Sequence, residues 1–109
     1  MLNPNLPESE LLKSLLQPLL DDFNYWFDRS ATLLETEEIG FMSGEQQSDL
    51  LARVKQAQQE VRAAQALFQA TGGQVGIETT ILMPWHRLLA ECWQVSARFR
   101  TWHSGKPGK

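Results

Sequence analysis

Residues 50–68 read LLARVKQAQQEVRAAQALF, and its apolar or small residues Leu50, Val54, Ala57, Val61, Ala64 and Phe68 stand 4, 3, 4, 3 and 4 apart. A repeat of 3.5 residues keeps one stripe of a helix against its neighbours and winds helices left-handed around each other. The same spacing runs on both sides of this stretch. Toward the N-terminus it joins Leu12, Leu16, Leu19, Phe23, Trp26 and Leu33, with Ser30 in the intermediate position. Toward the C-terminus it joins Ile81, Trp85, Leu88, Cys92, Val95, Phe99 and Trp102. Three heptad segments linked by short connections predict an all-α chain, an antiparallel up-down-up three-helix bundle with left-handed packing.

The segment ends carry their own chemistry. Pro7 ahead of Glu8 and Glu10 suits a first helical turn, where amides lack partners and acids meet the positive end of the dipole. Ser43 with Gln46 reads as a capping box, and Gly72-Gly73 as a left-handed stop. Thr80 can cap the last helix, with Pro84 at the edge of its first turn. The helices are therefore expected over about 8–36, 43–71 and 80–102, with frayed ends at 1–6 and 104–109. Pro18 removes an amide donor inside helix 1 and predicts a kink there. Ile39, Phe41 and Met42 are expected to close one end of the bundle, and Val75 and Ile77 to do similar work in the second connection.

The chain of 109 residues, 12.4 kDa, allows one domain. Ten basic against thirteen acidic residues give a net charge of −3, which offers no general attraction to nucleic acid. One cysteine excludes an internal disulfide and fits a reducing, cytoplasmic setting. The N-terminus lacks a basic run, and Lys13, Gln17, Pro18, Asp21 and Asp22 interrupt the leucines after it, so neither a signal peptide nor a membrane span is expected.

Helix 1 has more apolar residues than one seam needs. Leu20, Phe27 and Leu34 form a second stripe, beside Tyr25, and helix 3 adds Leu89 and Trp93. This surplus either lies between helices 1 and 3 or makes a dimer or partner interface, since contiguous apolar surface with aromatics marks contact sites. Leu20, Tyr25, Phe27, Leu34, Leu89 and Trp93 are the candidate interaction surface. Asp21, Asp28 and Glu35 recur every seven residues as an acidic line read as a solvated outer face, and the glutamines of helix 2 read the same way. Trp85, His86 and Cys92 are the one place where a ring-shaped ligand such as a tetrapyrrole is conceivable, with His86 as an axial ligand. His86 and Cys92 are six residues apart, which puts them on different sides of a helix. No metal or other cofactor is expected from this donor set, and no nucleophile with a base is visible, so the chain does not read as an enzyme.

The stretches PLLDDFNYWFDRS (18–30), DLLARVKQAQQEVRAAQALFQATGGQVGIET (49–79) and LMPWHRLLAECWQVSARFR (82–100) resemble a group of short cyanobacterial proteins classed as a domain of unknown function. The resemblance runs from about Leu11 to Arg100. It implies a cyanobacterial cytosol and a photosynthesis-related setting, and it brings no established activity, cofactor or catalytic residue. The sequence thus reads as a non-enzymatic interaction module that binds a protein partner or a second copy, with a small-molecule binder as the alternative.

Overall fold

The computed structural model describes residues 8–72 and 79–104, which form three α-helices: α1 (Glu8–Thr36), α2 (Gly44–Ala70) and α3 (Thr79–Ser104). Among the described residues there is no strand, so the chain is all-α with the three helices that its heptad segments predict. The expected work of Val75 and Ile77, and the fraying of 1–6 and 105–109, fall outside the described residues. Ser104 belongs to α3, which runs two residues past its expected end.

Local chemistry sets the ends of α2. Ser43 is extended at φ −69° and ψ 159°; its hydroxyl accepts from the Gln46 N–H at 3.0 Å, and the Gln46 side chain accepts from the Ser43 N–H at 2.8 Å. Two amides that a helix start leaves unpaired are thereby satisfied. At the other end Gly72 turns to φ +63°, a conformation open to a residue without Cβ, and its N–H donates to the Gln69 carbonyl at 3.1 Å. Pro18 and Pro84 both sit inside helices. α1 runs on through Pro18, and α3 begins at Thr79, so Thr80 is helical and Pro84 falls in the second turn.

The core takes Leu16, Leu20, Phe23, Phe27, Ala31 and Leu34 from α1, Leu50, Val54, Ala57, Val61 and Phe68 from α2, and Trp85, Leu88, Leu89 and Cys92 from α3. The α2 stripe is the one read from its spacing, with Ala64 partly buried. On α3 Trp85, Leu88 and Cys92 of the expected stripe are buried and Val95 and Phe99 partly buried, whereas Ile81 and Trp102, at its two ends, are exposed. On α1 the seam is displaced. Two heptad seams share Leu16, Phe23 and Ser30; the structure completes them with Leu20, Phe27 and Leu34, and leaves Leu19 and Trp26 exposed.

Polar partners explain that choice. Asp21, Asp28 and Glu35 lie one residue beyond Leu20, Phe27 and Leu34, and all three meet α2. Asp21 accepts from Gln65 Nε2 at 2.7 Å, Asp28 from Gln58 Nε2 at 2.7 Å and Arg62 Nη2 at 2.9 Å, and Glu35 pairs with Lys55 Nζ at 2.6 Å. Asn24 donates to Gln65 from the same side. The acidic line is therefore no free outer face, and Gln58 and Gln65 are not merely solvated. Turning this edge toward α2 carries Leu20, Phe27 and Leu34 inward, because neighbouring positions differ by about 100° around a helix.

The pairs run in a fixed order. Advancing along α1 from Asp21 to Glu35 retreats along α2 from Gln65 to Lys55. Advancing along α3 from Trp85 to Glu91 likewise retreats along α2 from Glu60 to Arg53. Between α1 and α3, Phe23 meets Trp85 with ring centroids 5.6 Å apart, and Trp26 meets Trp93 further along both helices.

The α1–α2 connection packs inward, with Ile39 buried and Phe41 and Met42 partly buried against the core. Gln47 ties it down. Its Nε2 donates to the carbonyls of Leu34 at 2.9 Å and Glu37 at 2.7 Å, and its Oε1 accepts from the Ile39 N–H at 3.0 Å. One side chain thus serves the carbonyls that the end of α1 leaves open.

Candidate functional site

The face shared by α1 and α3 carries three exposed aromatic rings. Tyr25 is 52% exposed, Trp26 36% and Trp93 44%. Tyr25 and Trp26 meet edge to face at 5.0 Å and 83°, and Trp26 and Trp93 at 5.9 Å and 90°. Edge-to-face contact suits the ring quadrupoles. A hollow of about 410 Å³ opens beside them between the helices, lined by Trp26, Leu33, Trp93 and Ala97, with Ser30 and Ser96 and the guanidinium groups of Arg29 and Arg100. A second hollow of about 510 Å³ lies on the other flank of Arg29 and Leu33, where Tyr25, Asp28, Thr32, Thr36 and Glu37 complete its lining.

The guanidinium of Arg29 is 5.6 Å from the Tyr25 ring centre, and its Nη1 lies 3.4 Å from the phenol oxygen. A cation held over an aromatic face keeps its charge at the surface in a limited set of positions. The face therefore offers exposed aromatic rings next to positive charge.

The six residues expected to form an interaction surface divide. Leu20, Phe27, Leu34 and Leu89 are buried within the chain, between 0 and 5% exposed, and present no surface to a partner. The reason is the polar edge that turns the second α1 stripe inward. Tyr25 and Trp93 are exposed on one face, and the displaced seam adds Trp26 to them.

Trp85, His86 and Cys92 do not converge. Trp85 is buried, and its indole N–H donates to Glu60 Oε1 at 2.9 Å. His86 is exposed. Cys92 is buried; loss of water raises its thiol above the usual cysteine range, against a hydrogen bond with Ser30 that works the other way. A thiol held protonated in this way is a poor nucleophile and a poor ligand. The hollow beside Trp85 is lined by Arg53, Gln56, Ala57, Glu60, Pro84, Arg87, Leu88 and Glu91, without His86 or Cys92. Among the described residues no cluster of three or more His, Cys, Asp or Glu side chains is placed to hold a metal ion.

A family model described as a protein of unknown function, DUF2605, matches residues 6–101. The chain belongs to this family. The matched span takes in Tyr25, Trp26, Arg29 and Trp93 as well as all the interhelical pairs described above, so in this DUF2605 chain the aromatic face lies within the family's own domain. No curated protein and no solved structure matches the chain.

A forked charged contact of this DUF2605 chain stands on the α2–α3 side. Arg53 donates through both terminal nitrogens to the two oxygens of Glu91, each at 2.9 Å, and through Nε to Asp49 at 3.1 Å. The hydrogen bonds from Arg53 hold the Glu91 carboxyl below its ordinary range. This fork is half-exposed and serves to join two helices. Trp26 and Arg29 are the members of the aromatic face that spacing misassigns or passes over, the first because it fits a heptad seam, the second because it sits beside Asp28. No helix among the described residues is long and apolar enough to cross a membrane.

Proposed function

We propose that the chain is a non-enzymatic helical interaction module that binds a protein partner or a second copy of itself through the α1–α3 aromatic face. In this reading the helices form an antiparallel up-down-up bundle with left-handed heptad packing and a bend of α1 at Pro18. The order of the interhelical pairs supports that arrangement. The module works in the cytoplasm, in the cyanobacterial, photosynthesis-related setting that the family resemblance implies.

The observation that carries the proposal is the run Tyr25, Trp26 and Trp93, three large rings exposed on one face and fixed edge to face. Exposed tryptophan and tyrosine bring large contact area at small entropic cost, and with arginine they dominate the energetics of interfaces. The burial of Cys92 and the separation of His86 from it favour this reading over ligand binding or catalysis.

Native mass spectrometry of tagged protein gently isolated from its own host tests the proposal. Added protein mass, lost on Trp93→Ala while the melting temperature holds, is the expected result. A bare monomer, or an added mass of small-molecule size alone, contradicts it.

A further inference from the structure

Asp22 and Arg29 share one face of α1. They stand seven residues apart, which is two turns less about 20°, or about 10.5 Å along the axis. Tyr25 and Trp26 lie midway between them, so the face reads acid, aromatic pair, base. Both charged residues are exposed, and neither has an ion-pair partner among the described residues. Arg53, Lys55 and Arg62, by contrast, each face a carboxylate of their own chain.

Such an order is its own complement when the helix is met by an identical helix running the other way. We infer that the outer face of α1 binds the same face of a second copy, the two helices antiparallel about a twofold axis between Tyr25 and Trp26, so that Asp22 of each copy pairs with Arg29 of the other. This rests on the interaction-module reading and names its partner.

The geometry of a twofold contact requires that each residue's number and that of its opposite sum to a constant. With the axis between Tyr25 and Trp26 the constant is 51, and 22 and 29 satisfy it. Tyr25 then lies opposite Trp26 at the centre, where both partners bring exposed rings. Leu33 lies opposite Pro18 and Leu15 opposite Thr36, so apolar area extends outward from the aromatic centre. Leu15 at 60% exposed is a leucine that the fold of one chain leaves uncovered. The Tyr25 ring under Arg29 holds the guanidinium on this face before a partner arrives, which lowers the ordering cost of pairing. Charge order on both sides of the axis also fixes direction, because a parallel pairing would set Asp22 against Asp22 and Arg29 against Arg29.

Charge reversal tests this. Purified protein is compared with Asp22→Arg, Arg29→Asp and the double variant by sedimentation velocity across a concentration series, with circular dichroism to check that helicity is unchanged. The wild type is expected to reach twice the mass of 12.4 kDa. Each single reversal turns two attractive pairs into two repulsive ones and should weaken dimerisation at least about tenfold. The double variant restores both pairs and should recover most of that loss. A wild type that stays monomeric up to high concentration overturns the inference, as does a dimer indifferent to the single reversals or one that the double variant fails to restore. A purified monomer that nevertheless brings a different protein from its host would defeat the twofold pairing and leave the module reading standing, so the two failures are distinct.

Discussion

Asp28 accepts from both Gln58 and Arg62 through a single carboxylate oxygen, at 2.7 and 2.9 Å, and so ties the middle of α1 to the middle of α2. The contact is exposed and modest in energy, yet it belongs to a row. Asp21 with Gln65 lies two turns before it and Glu35 with Lys55 two turns after it. The row favours the packing in which Leu20, Phe27 and Leu34, each one residue before a member of the row, are core. Such polar edges contribute less to stability than buried apolar area does, but they discriminate between packings of similar burial.

Reversal of one member should therefore be felt and should be repairable. Asp28→Arg sets two guanidinium groups against each other and is expected to cost about 1 kcal/mol, the upper end for exposed pairs. The double variant Asp28→Arg with Arg62→Asp should regain most of it. Urea midpoints of the four chains form a double-mutant cycle, and a coupling near zero would remove the row from the account.

Gln47 closes the far end of α1 with three hydrogen bonds to backbone groups of residues 34, 37 and 39. Gln47→Ala leaves the Leu34 carbonyl and the Ile39 N–H without their partner in part-buried surroundings, and the Glu37 carbonyl without its partner at an exposed position. A loss of about 1–3 kcal/mol is expected from urea denaturation, with Gln47→Glu no better than Ala, because a carboxylate cannot donate to the Leu34 and Glu37 carbonyls. A change within error of zero would mean that water replaces the side chain freely.

The Arg53–Glu91 fork gives a pH dependence of stated sign. Glu91 is held below its ordinary value of 4.5 in the folded chain by the hydrogen bonds from Arg53. Its contribution is therefore complete above the unfolded value and is lost as pH falls below about 4.5 through the folded value. Both side chains are close to half exposed, so solvent screening limits the effect to about 1 kcal/mol or less. Melting curves of wild type and Glu91→Gln between pH 3 and 7 should converge at the acid end. A constant gap between them would show that the pair does not titrate as a unit.

Much of this fold is legible in the sequence, and the point at which legibility ends is instructive. α2 has a single apolar stripe among glutamines and charges, and its buried residues are those its spacing names. Its Ser43–Gln46 start and Gly72 stop are equally readable, since both depend on neighbours in the chain. α1 is different. Period alone admits Leu19, Trp26 and Leu33 as readily as Leu20, Phe27 and Leu34, and what favours the second set is the presence of Gln58, Arg62 and Lys55, 20 to 34 residues from their partners on α1. A polar partner across a helix–helix boundary leaves no local mark, so Asp21, Asp28 and Glu35 look like any solvated edge. The same displacement conceals the aromatic face: Tyr25 and Trp93 stand outside the heptad seams and are exposed, whereas Trp26 fits a seam by spacing and is exposed all the same. For Trp85, His86 and Cys92, proximity along α3 suggested a group, and helical geometry disperses it.

In the proposed module Phe27 and Trp26, one residue apart, do different work, the first holding the fold and the second, with Trp93, meeting a partner. The most direct measurement compares Phe27→Ala with the double variant Trp26→Ser/Trp93→Ser in urea denaturation and, in parallel, in native mass spectrometry. Phe27→Ala should lose about 3–5 kcal/mol, as large-to-small changes at fully buried sites do. The tryptophan variant gives up the Trp26–Trp93 edge-to-face contact but leaves the core intact, and should lose clearly less, about 1–2 kcal/mol. It should also lose the associated mass that the wild type carries. A tryptophan variant as destabilised as Phe27→Ala, or one that still associates like the wild type, would contradict the account.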